Sequence, residues 1–297
     1  MVRIATVFGS SGEQGSSVVH AILKDGTFKP RVVTRNANSD SSRRFVELGA
    51  EVVQADSGDK ESVKKAVAGA EVVFLVTFPF TATSEYEQGV KVIDASKEAG
   101  VRFLVFSTLP SLIELSKGKF KNTVHFEEKD KVAKYLQTSG LPYATIGTGW
   151  FLENLSKTNP LKQKTLEKSD DSYIFHAFGG PGMAYAVTWI EHDLGSAFVA
   201  LATQYESRAS EVVGQSFVVG SARPTVEDFA AELGKGLGKP VRVDYLGKSG
   251  IVPLDEMYES ATELDWYPGV DLPDPRLEKL GLKVGTIEDF AKTRLAL

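Results

Sequence analysis

The chain of 297 residues contains no cysteine. That excludes disulfides, a thiolate nucleophile and a thiolate-held metal, and it fits a reducing compartment. Histidine is scarce as well. The four present are His20, His125, His176 and His192, and no two have the spacing of a metal pair, so no metal site is expected. Long apolar runs are also missing. A run such as Val72–Val76 has strand length, far short of the ~20 residues that a bilayer-spanning helix needs. No basic leader or cleavage pattern precedes Val2-Arg3-Ile4-Ala5-Thr6-Val7-Phe8, so no signal peptide is expected. Positive charge is not in excess: 34 basic residues face 39 acidic ones, a formal charge of −5. Nucleic-acid affinity rests on neutralising phosphates, so direct binding to DNA or RNA is not expected. No repeat and no low-complexity tract is visible. These absences leave a globular protein of the cytoplasm, with the nucleus as a second compartment.

What is present is a beat. Strands are expected over 2–8, 31–34, 51–54, 71–77, 101–106 and 143–146. Helical patterns fill 12–24, 41–48, 60–68, 84–99 and 124–138 between them. Strands separated by helices of this length form βαβ units, hence a Rossmann-type doubly wound parallel sheet. The run over 71–77 is apolar enough to be buried on both faces. The beat breaks after Asn154. Residues 156–172 are polar and read as a surface loop or a frayed helix end, mobile enough to close over a cleft. Further strands are expected over 173–178, 215–219 and 241–245. Helices are expected from an Asp193 N-cap through Leu201, from Thr225 to Leu237 and from Thr286 to Leu295. The division expected is a Rossmann domain over 1–154 and a smaller α/β lobe over 155–297, with the chain able to return to the main sheet.

The sharpest feature is Gly9-Ser10-Ser11-Gly12-Glu13-Gln14-Gly15, between the first strand and the first helix. One glycine permits a tight turn, one lets backbone approach a pyrophosphate, and one lets helix and strand pack closely. The helix N-terminus then offers free N–H groups and the positive end of its dipole to phosphate. The end of the second strand selects the cofactor. A carboxylate there bonds the ribose 2′-hydroxyl of NAD, whereas an arginine accommodates the 2′-phosphate of NADP. The strand ends in Thr34-Arg35-Asn36, with Arg35 lying 20 residues past Gly15 and no carboxylate before Asp40. NADP(H) is therefore the cofactor expected, since guanidinium grips phosphate through paired hydrogen bonds. Asp56 with Ser57 is placed for the adenine side, and Thr77 with Phe78 for the ribose or nicotinamide side, all at carboxyl ends of strands. Trp150-Phe151 and Phe78-Pro79-Phe80 are candidates for an aromatic wall beside the nicotinamide.

The ordered set of Gly9–Gly15, Thr34-Arg35-Asn36, Gln54-Ala55-Asp56, His125-Phe126-Glu127-Glu128-Lys129 and Phe151-Leu152-Glu153-Asn154-Leu155 resembles the NmrA-like proteins, which are atypical short-chain dehydrogenase/reductases. The resemblance runs on through Glu191–Gly195 and Thr286–Phe290. It implies NADP(H) in the cleft between a Rossmann domain and a small lobe, with Asn154 among the cofactor contacts. It also implies either of two occupations: a redox-sensing regulator with a protein partner, or a reductase of quinones, dyes or aromatic ethers. A homodimer is compatible with either.

Ordinary short-chain reductases use a Tyr and a Lys four residues apart on a helix. None of the nine tyrosines here has Lys at that spacing. The expected Tyr position carries His125, with Lys129 one turn later on the same face. Ser107 stands where such enzymes keep a substrate-binding serine. Lys129, His125 and Ser107 are thus the candidate catalytic set, with His125 as a proton relay near neutral pH. The missing tyrosine points instead to cofactor binding without ordinary alcohol–ketone turnover. Two functions follow: an NADP(H)-responsive regulator, or an NADPH-dependent reductase of a small aromatic or quinone-like compound using Lys129.

Overall fold

The β-branched runs form strands and the amphipathic runs between them form helices that cover both faces of one sheet. The structure, a computed structural model, describes residues 2–295. Strands β1 (Ile4–Val7), β2 (Lys29–Thr34), β3 (Glu51–Gln54), β4 (Val72–Leu75), β5 (Phe103–Thr108) and β6 (Tyr143–Thr148) are separated by helices α1 (Glu13–Asp25), α2 (Asp40–Glu47), α3 (Lys60–Val67), α4 (Glu85–Glu98), α5 (Leu112–Leu115) and α6 (Val124–Thr138). Beyond them lie β7 (Trp150–Phe151), β8 (Leu166–Lys168), β9 (Tyr173–Phe178), β10 (Val187–Thr188), α7 (Gly195–Gln204), α8 (Ala209–Val212), β11 (Gln215–Val219), α9 (Val226–Leu237), β12 (Val241–Gly247), α10 (Val252–Glu263), α11 (Pro275–Lys279) and α12 (Ile287–Phe290).

The central sheet has the order β11-β6-β5-β4-β1-β2-β3, and every pairing in it is parallel. The chain runs outward from β1 to β3, then crosses back to β4. In such a sheet the crevice at this reversal, outside the carboxyl ends of the strands, is where ligands bind. Every residue of β4 is fully buried, as a strand covered on both faces requires. One apolar layer on the sheet includes Val18, Ile22, Phe198 and Leu201, and the other includes Val63, Val92, Val132 and Leu136.

A smaller sheet of β12, β9 and β8 stands beside the carboxyl ends of the main strands, with β8 antiparallel to β9 and β9 parallel to β12. Its core is aromatic: Phe175 meets Phe229 at 5.3 Å, and Trp266 meets Phe126 of α6 at 5.0 Å. Strand β7 pairs with β10 at the boundary. Strand β11 and α7, both beyond residue 154, return to the main sheet and its helical layer. The Ser17 hydroxyl of α1 locks that return. It donates to the Ile190 carbonyl (2.7 Å) and accepts from the Gly195 N–H (3.0 Å), and all of it is buried.

Three local expectations are corrected. Residues 156–172 are a surface segment for most of their length and not a frayed helix end, but they also carry β8, and Thr158 bridges Lys164. Their lysines and aspartates decorate the outside of a hairpin whose inner side packs on β9. Asp193 does not cap a helix. It lies inside a π-helical turn, Ile190–Leu194, and its buried carboxylate accepts from the Gly285 N–H (2.8 Å) and His192 Nδ1 (2.6 Å). The terminal helix lies where expected and is capped by Thr286, but after Phe290 it widens into a π turn, Ala291–Leu295. Thr225 caps α9, accepting from the Asp228 N–H at 3.1 Å. Helices α10 and α11 were not anticipated from the sequence.

Ser17→Ala removes a buried hydroxyl that bonds the Ile190 and Glu191 carbonyls and the Gly195 N–H. A loss of about 1–3 kcal/mol is expected in urea unfolding. A loss under about 0.5 kcal/mol, the scale of ordinary surface changes, would mean that the hydroxyl is not what pins α1 to the second half of the chain.

Candidate functional site

The loop from β1 to α1 has the geometry its glycines require. Gly9 sits at φ +72°, and a Cβ there would lie 2.4 Å from Val76 Cγ1. A Cβ on Gly15 would stand 2.3 Å from the Gly9 carbonyl oxygen, so the helix can approach the turn only with glycine in that place. The N-cap of α1 is Gly12, which has no side chain to cap the first-turn N–H groups. Those donors are left for a ligand.

A cavity of about 410 Å³ opens in front of this loop, between the ends of β1, β2, β3 and β4. Its lining includes Gly9, Ser11, Gly12, Arg35, Asp56, Ser57 and Phe78. Nearby Arg31 is buried and paired with Glu51 at 3.0 Å. Arg35 is exposed and takes part in no ion pair or hydrogen bond among the described residues. A second cavity, of about 400 Å³, lies at the ends of β5 and β6. The main-sheet side brings Glu13, Gln14, Ser107, His125, Lys129, Trp150, Phe151 and Asn154 to it, and the smaller lobe brings Met257, Tyr258 and Trp266. Ser107 donates to Gln14 Oε1 at 2.5 Å, tying β5 to the start of α1.

Four sequence candidates lie elsewhere. Ser10 is fully buried, and its hydroxyl donates to the Val33 carbonyl (2.8 Å), so it braces the loop against β2 instead of lining the cavity. Gly15 is a packing glycine. Asn36 turns away from the cavity, its Oδ1 accepting from the Asn38 N–H at 3.0 Å. Thr77 is buried and serves other side chains: its hydroxyl donates to Glu85 Oε2 at 2.6 Å.

Lys129 was expected to contact the cofactor and to act as a general acid or base. Its ammonium is instead held by a buried ion pair with Glu85, and it also donates to the carbonyl (3.1 Å) and hydroxyl (3.2 Å) of Thr77. Burial lowers the Lys129 ammonium from the usual lysine range, and the facing Glu85 carboxylate opposes the drop. Glu85 escaped sequence reasoning because it is the first residue of α4, directly after the Ser84 cap, where helices favour an acid anyway. Its second oxygen, Oε1, is buried without a partner. His125 also departs from its expected role. Burial, reinforced by the nearby Lys129 charge, pushes its imidazole down to about 4, so the ring is neutral at physiological pH and does not relay protons there as an imidazolium. Its Nδ1 is buried with no partner.

No helix among the described residues is long and apolar enough to cross a membrane, and no group of three or more His, Asp or Glu side chains among them could hold a metal. A sequence model of the NmrA-like family matches residues 2–263. The chain is 34% identical over 161 residues to the NmrA-like family domain-containing oxidoreductase lnaB of Aspergillus flavus, covering 51% of this chain and 48% of that protein. It thus spans about half the length of that relative. Among solved structures, NmrA, a negative transcriptional regulator, in complex with NADP matches 99% of this chain and 95% of its own with a TM-score of 0.83 at 18% identity. The same regulator in complex with NAD matches equal shares with a TM-score of 0.84 at 18% identity.

Two outcomes test these electrostatics. Burial holds the His125 imidazole of the folded state down at about 4, below the ordinary ~6.5 of an unfolded chain. Stability from the neutral buried ring is therefore intact above pH ~6.5 and is lost as pH falls towards 4. His125→Gln should flatten the fall in unfolding free energy across that window, and curves of equal slope would refute the assignment. Glu85→Ala leaves a buried ammonium without its counter-ion, and denaturant unfolding should register a loss of about 3–5 kcal/mol at pH 7. A surface-like loss below ~1 kcal/mol would show that the pair is solvated in solution.

Proposed function

Because the chain belongs to the NmrA-like family, we propose that it binds NADP(H) along the carboxyl ends of β1–β6 and acts as an NADP(H)-responsive regulator. The observation that carries the cofactor is the unpaired, exposed Arg35 at the cavity in front of Gly9–Gly12. The loop and the uncapped start of α1 suit a pyrophosphate, and Arg35 suits a 2′-phosphate. Known relatives of the fold have been seen with either NADP or NAD, so the fold alone does not choose and Arg35 does. The adjoining cavity, with Ser107, Lys129 and Asn154, suits the nicotinamide end. NADP(H) would supply or accept a hydride there. In this chain the Tyr–Lys pair is absent, Lys129 is engaged by Glu85, and His125 is neutral, so none of these groups stands ready to pass a proton to an alkoxide. That favours binding and signalling, with a protein partner reading the bound state.

One observation favours a second reading, an NADPH-dependent reductase. The cavity beside Lys129 is mostly apolar and bordered by Trp150, Phe151, Met257 and Trp266, as a small aromatic or quinone-like acceptor would need. The oxidoreductase name of the Aspergillus relative accords with it. Hydride transfer to a quinone would give the hydroquinone monoanion, which takes its one remaining proton from water and needs no phenol.

Calorimetric titration with NADPH, NADP+, NADH and NAD+ tests the cofactor. The phosphorylated pair should bind more tightly, and Arg35→Ala should weaken NADPH by about 1.5–3 kcal/mol while leaving NADH unchanged, since only a charge-assisted contact is lost. Equal effects on both cofactors would refute the role of Arg35. Steady loss of NADPH absorbance over quinones and aldehydes would replace the regulator with the reductase.

A further inference from the structure

The cofactor loop carries an acid at the place where it would meet phosphate. Glu13 is the first residue of α1, directly after the Gly12 N-cap, and the first-turn N–H groups there are left for a pyrophosphate. In an empty site a first-turn carboxylate suits the positive end of the helix dipole. Beside a bound diphosphate it becomes a second anion at the same helix end, and the two repel each other. Glu13 is not alone. Its Oε1 lies 2.7 Å from the ammonium of Lys157, which follows the 3₁₀ turn Leu152–Ser156, so the pair ties α1 to the start of the smaller lobe. Both side chains line the cavity at the ends of β5 and β6, and both are well exposed, 37% for Glu13 and 46% for Lys157. An exposed pair of this kind is worth only about 0–1 kcal/mol, so its partners exchange readily. The other charges around it are committed. Lys129 is buried against Glu85. Glu153, close enough to Glu13 to feel its charge, accepts from the N–H groups of Glu191 (2.8 Å) and Ile190 (3.3 Å). Of the two lysines on this cavity, Lys157 is the one whose charge can pass to a ligand.

We infer that Lys157 binds the pyrophosphate of the cofactor, and that Glu13 holds it in the free protein as a built-in competitor for the same ammonium. Dinucleotide binding exchanges one ion pair for another. The ammonium leaves a single carboxylate for a diphosphate of higher charge, whose oxygens also take the N–H groups of α1. Glu13 stays behind near the phosphates, so the exchange stabilises the complex less than an unpaired lysine would. Pyrophosphate is common to every nicotinamide dinucleotide, whereas Arg35 acts on the 2′-phosphate alone. Glu13 therefore lowers affinity without touching selectivity, which keeps the occupancy of a regulator responsive to cofactor supply. The inference rests on the reading of Gly9–Gly15 as the phosphate loop of an NADP(H) site.

Calorimetry with NADPH and NADH on the unaltered chain and two variants tests it. Lys157→Ala should weaken both cofactors to the same extent, by at least about tenfold, the scale of one charge-assisted contact. Glu13→Gln should do the opposite and tighten both by about three- to tenfold, because the repulsion and the competing pair disappear together. Adenosine 2′-monophosphate, which has the 2′-phosphate and no pyrophosphate, should bind all three proteins alike. A gain of affinity in Glu13→Gln cannot come from a damaged fold, so a merely structural role for the pair would not produce it. An unchanged affinity in Lys157→Ala, a loss in Glu13→Gln, or an effect confined to NADPH would overturn the inference and leave the cofactor reading in place. Failure of the unaltered chain to bind either dinucleotide would overturn both.

Discussion

An ammonium group withdrawn from water has to be paired, and the Lys129–Glu85 contact meets that demand at the centre of the site. It joins α6 to the first turn of α4 and, through Thr77, both helices to the end of β4. Between the same two helices a Cβ on Gly89 would lie 2.5 Å from a Val132 methyl, so α4 and α6 pack closely enough to keep water from the pair. The orientation of Lys129, the dry setting of His125 and the floor of the second cavity all follow from this closure.

The arrangement also relates the two cavities at the sheet's carboxyl edge. One mixes polar and apolar surface and faces the uncapped α1 and Arg35, and the other is mostly apolar and faces the aromatic residues of both lobes. Ser107 and Gln14 bond to each other near the start of α1. Charge recognition and apolar recognition are thereby separated along one crevice, where each set of contacts can be made without desolvating the other.

Much of the first half was legible because its chemistry admits few alternatives. A Cβ would collide with Val76 at residue 9 and with the Gly9 carbonyl at residue 15, so both positions call for glycine, and the apolar run over 71–77 fits a strand buried on both faces. Arg35 was legible by position alone. Glu85 was hidden because a first-turn acid serves any helix, and Ser10 and Thr77 were misplaced because spacing cannot say which way a side chain turns. The hairpin over 156–172 looked like loop because its outward residues are charged, while the few inward ones carry no periodicity long enough to register. Met257, Tyr258 and Trp266 enter the site only through tertiary packing, which leaves no local mark.

The lobes are interleaved. After Asn154 the chain builds β8 and β9, returns to the main sheet for α7 and β11, goes back for α9, β12 and α10, and then sends Leu277, Leu280 and Leu282 under the sheet before α12 rejoins the smaller lobe. A cleft between two bodies joined by one linker can swing open on a hinge. Here several covalent crossings span the cleft, so its jaws behave more like a laced seam than a clam shell. Such lacing opposes a hinge-like opening of the crevice.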